Sequence, residues 1–156
     1  RRRLSAEVMA DAVTKVTDIA ADYDGLPPYS RAMQVWNTSM PSIFLDTFGR
    51  PDASAECPCE RDTTPTITQT LHLANSHKLI DRIALGSSRA SKLAKSEHPP
   101  ERIIDELYLS TYARHPTEAE LKTANAAFEQ KDASRQTATE DILWALLNSA
   151  EFVLNH

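Results

Sequence analysis

Glycine is the residue this chain does without. Only three are present in 156 residues, Gly25, Gly49 and Gly86, where average usage of about 7% gives roughly eleven. Tight hairpins and phosphate-cradling loops depend on glycine's freedom at positive φ. The shortage disfavours a hairpin-rich β fold. It also removes whole function classes, because no Walker loop, no GxGxxG dinucleotide fingerprint and no Gly-x-Ser-x-Gly nucleophile elbow can be written with these three glycines.

What replaces glycine is helical punctuation. Residues 5–20 place Val8, Met9, Ala12, Val13, Val16, Ile19 and Ala20 at spacings of three and four, behind Ser5 as N-cap. Thr64-Pro65 reads as a helix start with Ile67, Leu71 and Ala74 on one face, and Asn75-Ser76 breaks or re-caps it. Leu79, Ile80 and Ile83 follow, ending at Gly86, and a short helix anchored by Leu93 is expected within 87–96. Pro99-Pro100 opens a helix carrying Ile103, Ile104, Leu107, Tyr108, Thr111 and Tyr112. Thr117 and Glu120 form a capping box for the next, with Leu121, Ala124 and Phe128 as its buried face. A second box, Thr137 to Glu140, introduces a helix apolar on every side, extended by Phe152 and Val153. An all-round apolar helix belongs at the centre of a core, so Trp144→Ala is expected to cost about 3–5 kcal/mol.

Between these helices, residues 29–63 are interrupted by Pro41, Gly49, Pro51 and Pro58. Met33 to Trp36 and Ile43 to Leu45 read there as brief extended or one-turn elements lying on the core. The predicted fold is therefore all-α: an irregular helical bundle, one domain over 1–156, with a long proline-interrupted segment at 29–63 wrapped on it. Long irregular segments tend to carry function. Trp36, Phe44 and Phe48 are its candidate interface anchors, since aromatics dominate interface energetics. The competing reading is that each covers the core.

Charge and motifs narrow the chemistry. Twenty-two acids against 17 Lys and Arg leave a net charge of −5, which argues against nonspecific nucleic-acid binding. No apolar run approaches the roughly 20 residues of a membrane span. The basic start Arg1-Arg2-Arg3 reads as a solvated helix entrance or a contact to upstream sequence, and the absent initiator Met suggests a piece of a longer chain. His72, His77, His98, His115 and His156 are scattered without zinc spacing, and His72 and His77 read as surface or core-edge residues. No cofactor is predicted, and without Cys-x-x-Cys-His there is no covalent haem. The acids Asp105-Glu106, Glu118 with Glu120, and Glu140-Asp141 suit helix first turns and charged faces rather than catalysis.

The only two cysteines flank one proline, Cys57-Pro58-Cys59. Three readings stay open for them: a strained, reducible disulfide, small buried packing groups, or half of a soft-metal or redox site. Arg50, Glu60 and Arg61 nearby suit either an anion clamp or the pinning of an irregular loop.

A set of motifs occurs in order: Arg2-Arg3-Leu4-Ser5-Ala6-Glu7, Phe48-Gly49-Arg50-Pro51, Cys57-Pro58-Cys59-Glu60-Arg61, Pro65 through Asn75, Glu106-Leu107-Tyr108-Leu109, Arg114 through Glu120, and Trp144 through His156. This set resembles the planctomycete-type C-terminal domain of unknown function abbreviated PSD, over nearly the whole chain. Ala74 and Ala150 depart from its pattern, where a larger aliphatic and a polar residue are usual. The resemblance implies a large exported protein with a cytochrome c-like domain upstream. It thus implies an extracytoplasmic setting in which a Cys57–Cys59 disulfide is permitted. It supplies no catalytic residues. The expectation is a non-enzymatic interaction or scaffold domain that docks to other domains of the same polypeptide or to a protein partner. The alternative is a redox or metal-binding component built on Cys57 and Cys59.

Overall fold

In the computed structural model, residues 2–23, 25–27, 29–35, 42–49, 75–131 and 133–155 are described. The elements among them are numbered in chain order. Strand β1 is Arg2–Arg3, followed by α1 (Ala6–Thr17), a 3-10 turn (Ala32–Gln34) and α2 (Ile43–Thr47). Then come α3 (His77–Ala84), α4 (Arg89–Ala94), α5 (Pro100–Tyr112), α6 (Glu118–Phe128), α7 (Arg135–Leu147), α8 (Ala150–Val153) and strand β2 (Leu154–Asn155). The architecture is the expected irregular all-α bundle. The two-residue strands are an addition: they pair antiparallel, Arg2 with Asn155 and Arg3 with Leu154. Neither carries a periodicity that a sequence can display.

The helix starts follow their capping chemistry. Ser76, Ser88, Thr117, Ser134 and Ser149 each accept a hydrogen bond from the free backbone N–H three residues on. Thr117 and Glu120 form the reciprocal box, and Pro100 stands in the first turn of α5. The start of α7 is corrected: Ser134, not Thr137, is its cap. Thr139 and Ala138 are buried, so the helix must already be running when it passes them. The polar stretch Asn148-Ser149 also ends α7 and restarts the chain as α8, so Phe152 and Val153 extend a separate helix.

The core is one cluster. Met9, Val13 and Val16 of α1 meet Ile103, Ile104 and Leu107 of α5, and Leu143 and Leu147 of α7. Leu79 and Ile83 of α3, Ala90 and Leu93 of α4, and Leu45 and Phe48 around α2 complete it. Several apolar residues assigned to buried stripes point outward instead, Val8 and Ile80 among them. Helix α1 ends at Thr17, three residues short of expectation, because Asp18 turns left-handed (φ 61°) and stops the hydrogen-bond ladder. Helix α3 ends at Ala84, before Gly86. Helix α6 has no buried residue; Leu121, Ala124, Ala127 and Phe128 are only partly covered against α5 and α7.

The most consequential correction concerns Trp144. Its side is not the core side of α7: Trp144 is 37% exposed while Leu143 and Leu147 are sealed. Truncating it leaves no closed cavity, so the expected 3–5 kcal/mol penalty does not apply. The helix is amphipathic in packing, and its outer face mixes Trp144 and Ala145 with Thr137 and Asp141.

Candidate functional site

The residues singled out from sequence divide sharply. Trp36, Arg50, Cys57, Cys59, Glu60, Arg61 and His72 lie outside the described residues, as does the helix start at Thr64-Pro65. Phe44 and Phe48 are described. Phe48 is 1% exposed and stacks on half-buried Phe44, ring centroids 4.7 Å apart. Phe48 is therefore a core residue and not an interface anchor, because its ring is spent on packing inside the molecule. Gly49 follows at φ +80°, its N–H donating to the Asp46 carbonyl, which closes α2 in a conformation open to glycine at little cost.

What does face outward in this region was not foreseen. Tyr29, Met33 and Ile43 are 83%, 59% and 70% exposed. Both the 3-10 turn and α2 pack on α1. The turn is tied there by Asp11, whose carboxylate accepts from the Ala32 N–H at 2.6 Å and from Arg31 Nε at 3.2 Å. Met33 and Ile43 are thus exposed apolar side chains on short elements packed against α1, and Tyr29 precedes the turn.

Beside this rim, α1, residues 20–23, α2 and the start of α3 enclose a cleft of about 890 Å³. Val13, Ile43, Phe44 and Leu79 supply apolar wall; His77, Lys78 and Arg82 supply basic groups, and among the described residues Asp22 is the one acid on its lining. Arg82 reaches from α3 to the carboxy end of α1, where Nη2 donates to Thr14 Oγ1 at 2.9 Å and to the Ile19 carbonyl. Its Nε is buried and has no partner. Burial holds the Arg82 pKa below the usual guanidinium range, and burial also raises Tyr23 nearby, helped by the Asp11 charge.

A second polar cluster joins α5, α6 and α8. Arg114 Nε and Nη2 donate to the two oxygens of Glu151 at 2.7 and 2.8 Å, while Nη1 and Nη2 donate to Glu120 at 2.9 and 2.8 Å. Its guanidinium lies over the rings of Tyr108 and Tyr112 at 5.5 and 5.3 Å. Hydrogen bonds from Arg114 and from the Thr117 backbone pull the Glu120 carboxyl down to about 2. Every donor is spent on the protein itself. This is a fastening, and it gives a structural use to the Arg114-to-Glu120 motif.

Among the described residues no group of three or more His, Cys, Asp or Glu could hold a metal ion, and no helix is long and apolar enough to cross a membrane. His77 stands alone at the cleft mouth, and His115 is bonded to Asp105.

Comparison with family models matches residues 1–128 to PSD1, protein of unknown function (DUF1553). The chain belongs to the PSD1 family. No curated protein and no solved structure matches it. The PSD1 match takes in α1 through α6 and so includes the cleft and Arg114. It stops before α7, although Leu143 and Leu147 sit in the same core and Glu151 completes the Arg114 fastening. Arg82, Tyr23 and Glu151 carry no local signal in the sequence. Only their partners far along the chain give them a role.

Proposed function

We propose that this PSD1 domain is a non-enzymatic interaction module of a large, exported multidomain protein, docking to other domains of its own polypeptide or to a protein partner. The observation that carries the reading is the exposure of three large apolar side chains: Met33 on the 3-10 turn and Ile43 on α2, both elements packed on α1, and Tyr29 ahead of the turn. Large apolar side chains left exposed on ordered elements are what an interaction surface offers a partner, and large side chains of this kind anchor interfaces. The extracytoplasmic setting and the association with cytochrome c-like domains follow from the family resemblance. The acidic balance of the chain points to protein rather than nucleic acid.

The test is a triple substitution, Tyr29→Ser, Met33→Ser and Ile43→Ser, assayed for binding to the separately produced cytochrome c-like domain of the parent polypeptide. Binding is expected to weaken at least about tenfold, with the melting temperature unchanged within a few degrees. Equal binding by the variant, or a collapse of its melting temperature, overturns the proposal.

A further inference from the structure

The Arg82 cleft poses a separate problem. A largely buried guanidinium is costly unless a counter-charge or a full set of hydrogen bonds compensates it. No described carboxylate pairs with Arg82, and its buried Nε donates to nothing. The hydrogen bonds from Nη2 to the Thr14 hydroxyl and the Ile19 carbonyl account for only one edge of the group. The cleft it lines has the size of a small-molecule site, roughly 300–1,000 Å³. Among the described residues its charged lining is asymmetric: Arg82 and Lys78 stand against Asp22. The amino end of α3, where the first backbone N–H groups gather, adds partial positive charge on the same side. The rest of the wall is mostly apolar, with Val13, Phe44 and Leu79 among it, and carries Ser42, Asn75 and Ser76 as uncharged polar groups.

We propose that this cleft binds a small amphiphilic carboxylate, its head paired with Arg82 and its hydrocarbon body lying along Val13, Phe44 and Leu79. A carboxylate matches the planar guanidinium and supplies the missing counter-charge. The alkyl body replaces water over apolar wall, the ordinary source of affinity in such sites. This proposal is independent of protein docking through the exposed rim. Ile43 belongs to both surfaces, so the test leaves it untouched.

The probes are decanoate and decyltrimethylammonium, which share a tail and carry opposite head charges, titrated calorimetrically into the intact chain at neutral pH. Decanoate is expected to bind with a Kd of roughly 10–100 µM and the cation at least about tenfold more weakly. Arg82→Gln is expected to lose about tenfold in decanoate affinity. Because Arg82 also ties α3 to the end of α1, a second variant, Ala21→Trp, fills the cleft from the partly buried Ala21 without touching the guanidinium, and is expected to abolish binding. Absence of decanoate binding at about 1 mM, equal affinity for the two probes, or full affinity in Ala21→Trp each overturns the proposal.

Discussion

Arg114 and Arg82 carry the same group in opposite circumstances. Arg114 is only partly covered, yet two carboxylates and two aromatic rings surround it. Arg82 is more deeply placed and pairs with no carboxylate among the described residues. The first arrangement is a fastening, and its energetics can be read from pH. Glu120, ordinarily near 4.5, is held at about 2 by Arg114 and the Thr117 backbone. A depressed acid stabilises the fold above its unfolded pKa and loses that contribution as pH falls through the folded value. The contribution is thus complete above about 4.5 and disappears between there and about 2. With both side chains about one-third exposed, solvent screening limits it to about 1 kcal/mol. Denaturation of Glu120→Gln against wild type across this range should show curves that converge as the pH drops towards 2. Curves that stay parallel would remove the ion pair from the stability of the fold.

Among elements, the ends of helices matter more than their middles. Helix α5 stops at Ala113, which adopts φ 56° while its N–H closes on the Leu109 carbonyl. Glycine normally fills that place, since a Cβ there costs roughly 1 kcal/mol. Ala113→Gly should therefore raise stability by about 0.5–1 kcal/mol, less whatever the more flexible unfolded chain takes back. Chemical denaturation checks this, and a destabilised variant would mean that the methyl group packs usefully. Such ends also separate what could be read in advance from what could not. Ser76 and Thr117 declare their helices because capping links residues three apart, and Pro100 declares its own because a proline's fixed φ and missing N–H suit a first turn. Thr137 misled for the same reason: it satisfies the local pattern, but Ser134 does so too, and the burial of Ala138 and Thr139 decides between them. Trp144 misled because composition names apolar residues without naming the face that finds a neighbour. In the candidate site, Phe44 and Phe48 were visible as aromatics, but stacking inside rather than display outside is a tertiary outcome.

At the scale of the whole molecule, α1 is the part that holds two groups of elements together. The 3-10 turn and α2 pack on it, and on its other sides it meets α4 and α5 and receives Arg82 from α3. Its amino end is clasped by the β1–β2 pairing and by the Leu4 N–H donating to the Val153 carbonyl. Its carboxy end is gripped by Arg89, whose Nε and Nη2 donate to the Val16 and Lys15 carbonyls at 2.8 and 3.1 Å, and by Arg82. Lys92 pairs with Asp18 just beyond, holding that carboxyl below its usual range. These partners are more than sixty residues apart in sequence, beyond any local pattern, which is why the cleft and its arginine were illegible until the chain was folded. Each charged donor to a last-turn carbonyl satisfies a group the helix cannot satisfy itself, worth about 1.5–3 kcal/mol for hydrogen bonds of this type. Replacing Arg89 with Met keeps much of the aliphatic stem and removes both bonds. The loss should fall unevenly: amide exchange in α1 should accelerate more than exchange in α7, because α1 can then open with the turn and α2 while the α4–α5–α7 core stays closed. An equal acceleration in both helices would instead mean that the molecule opens only as a whole, and that the grip on α1 is shared too widely for one arginine to control it.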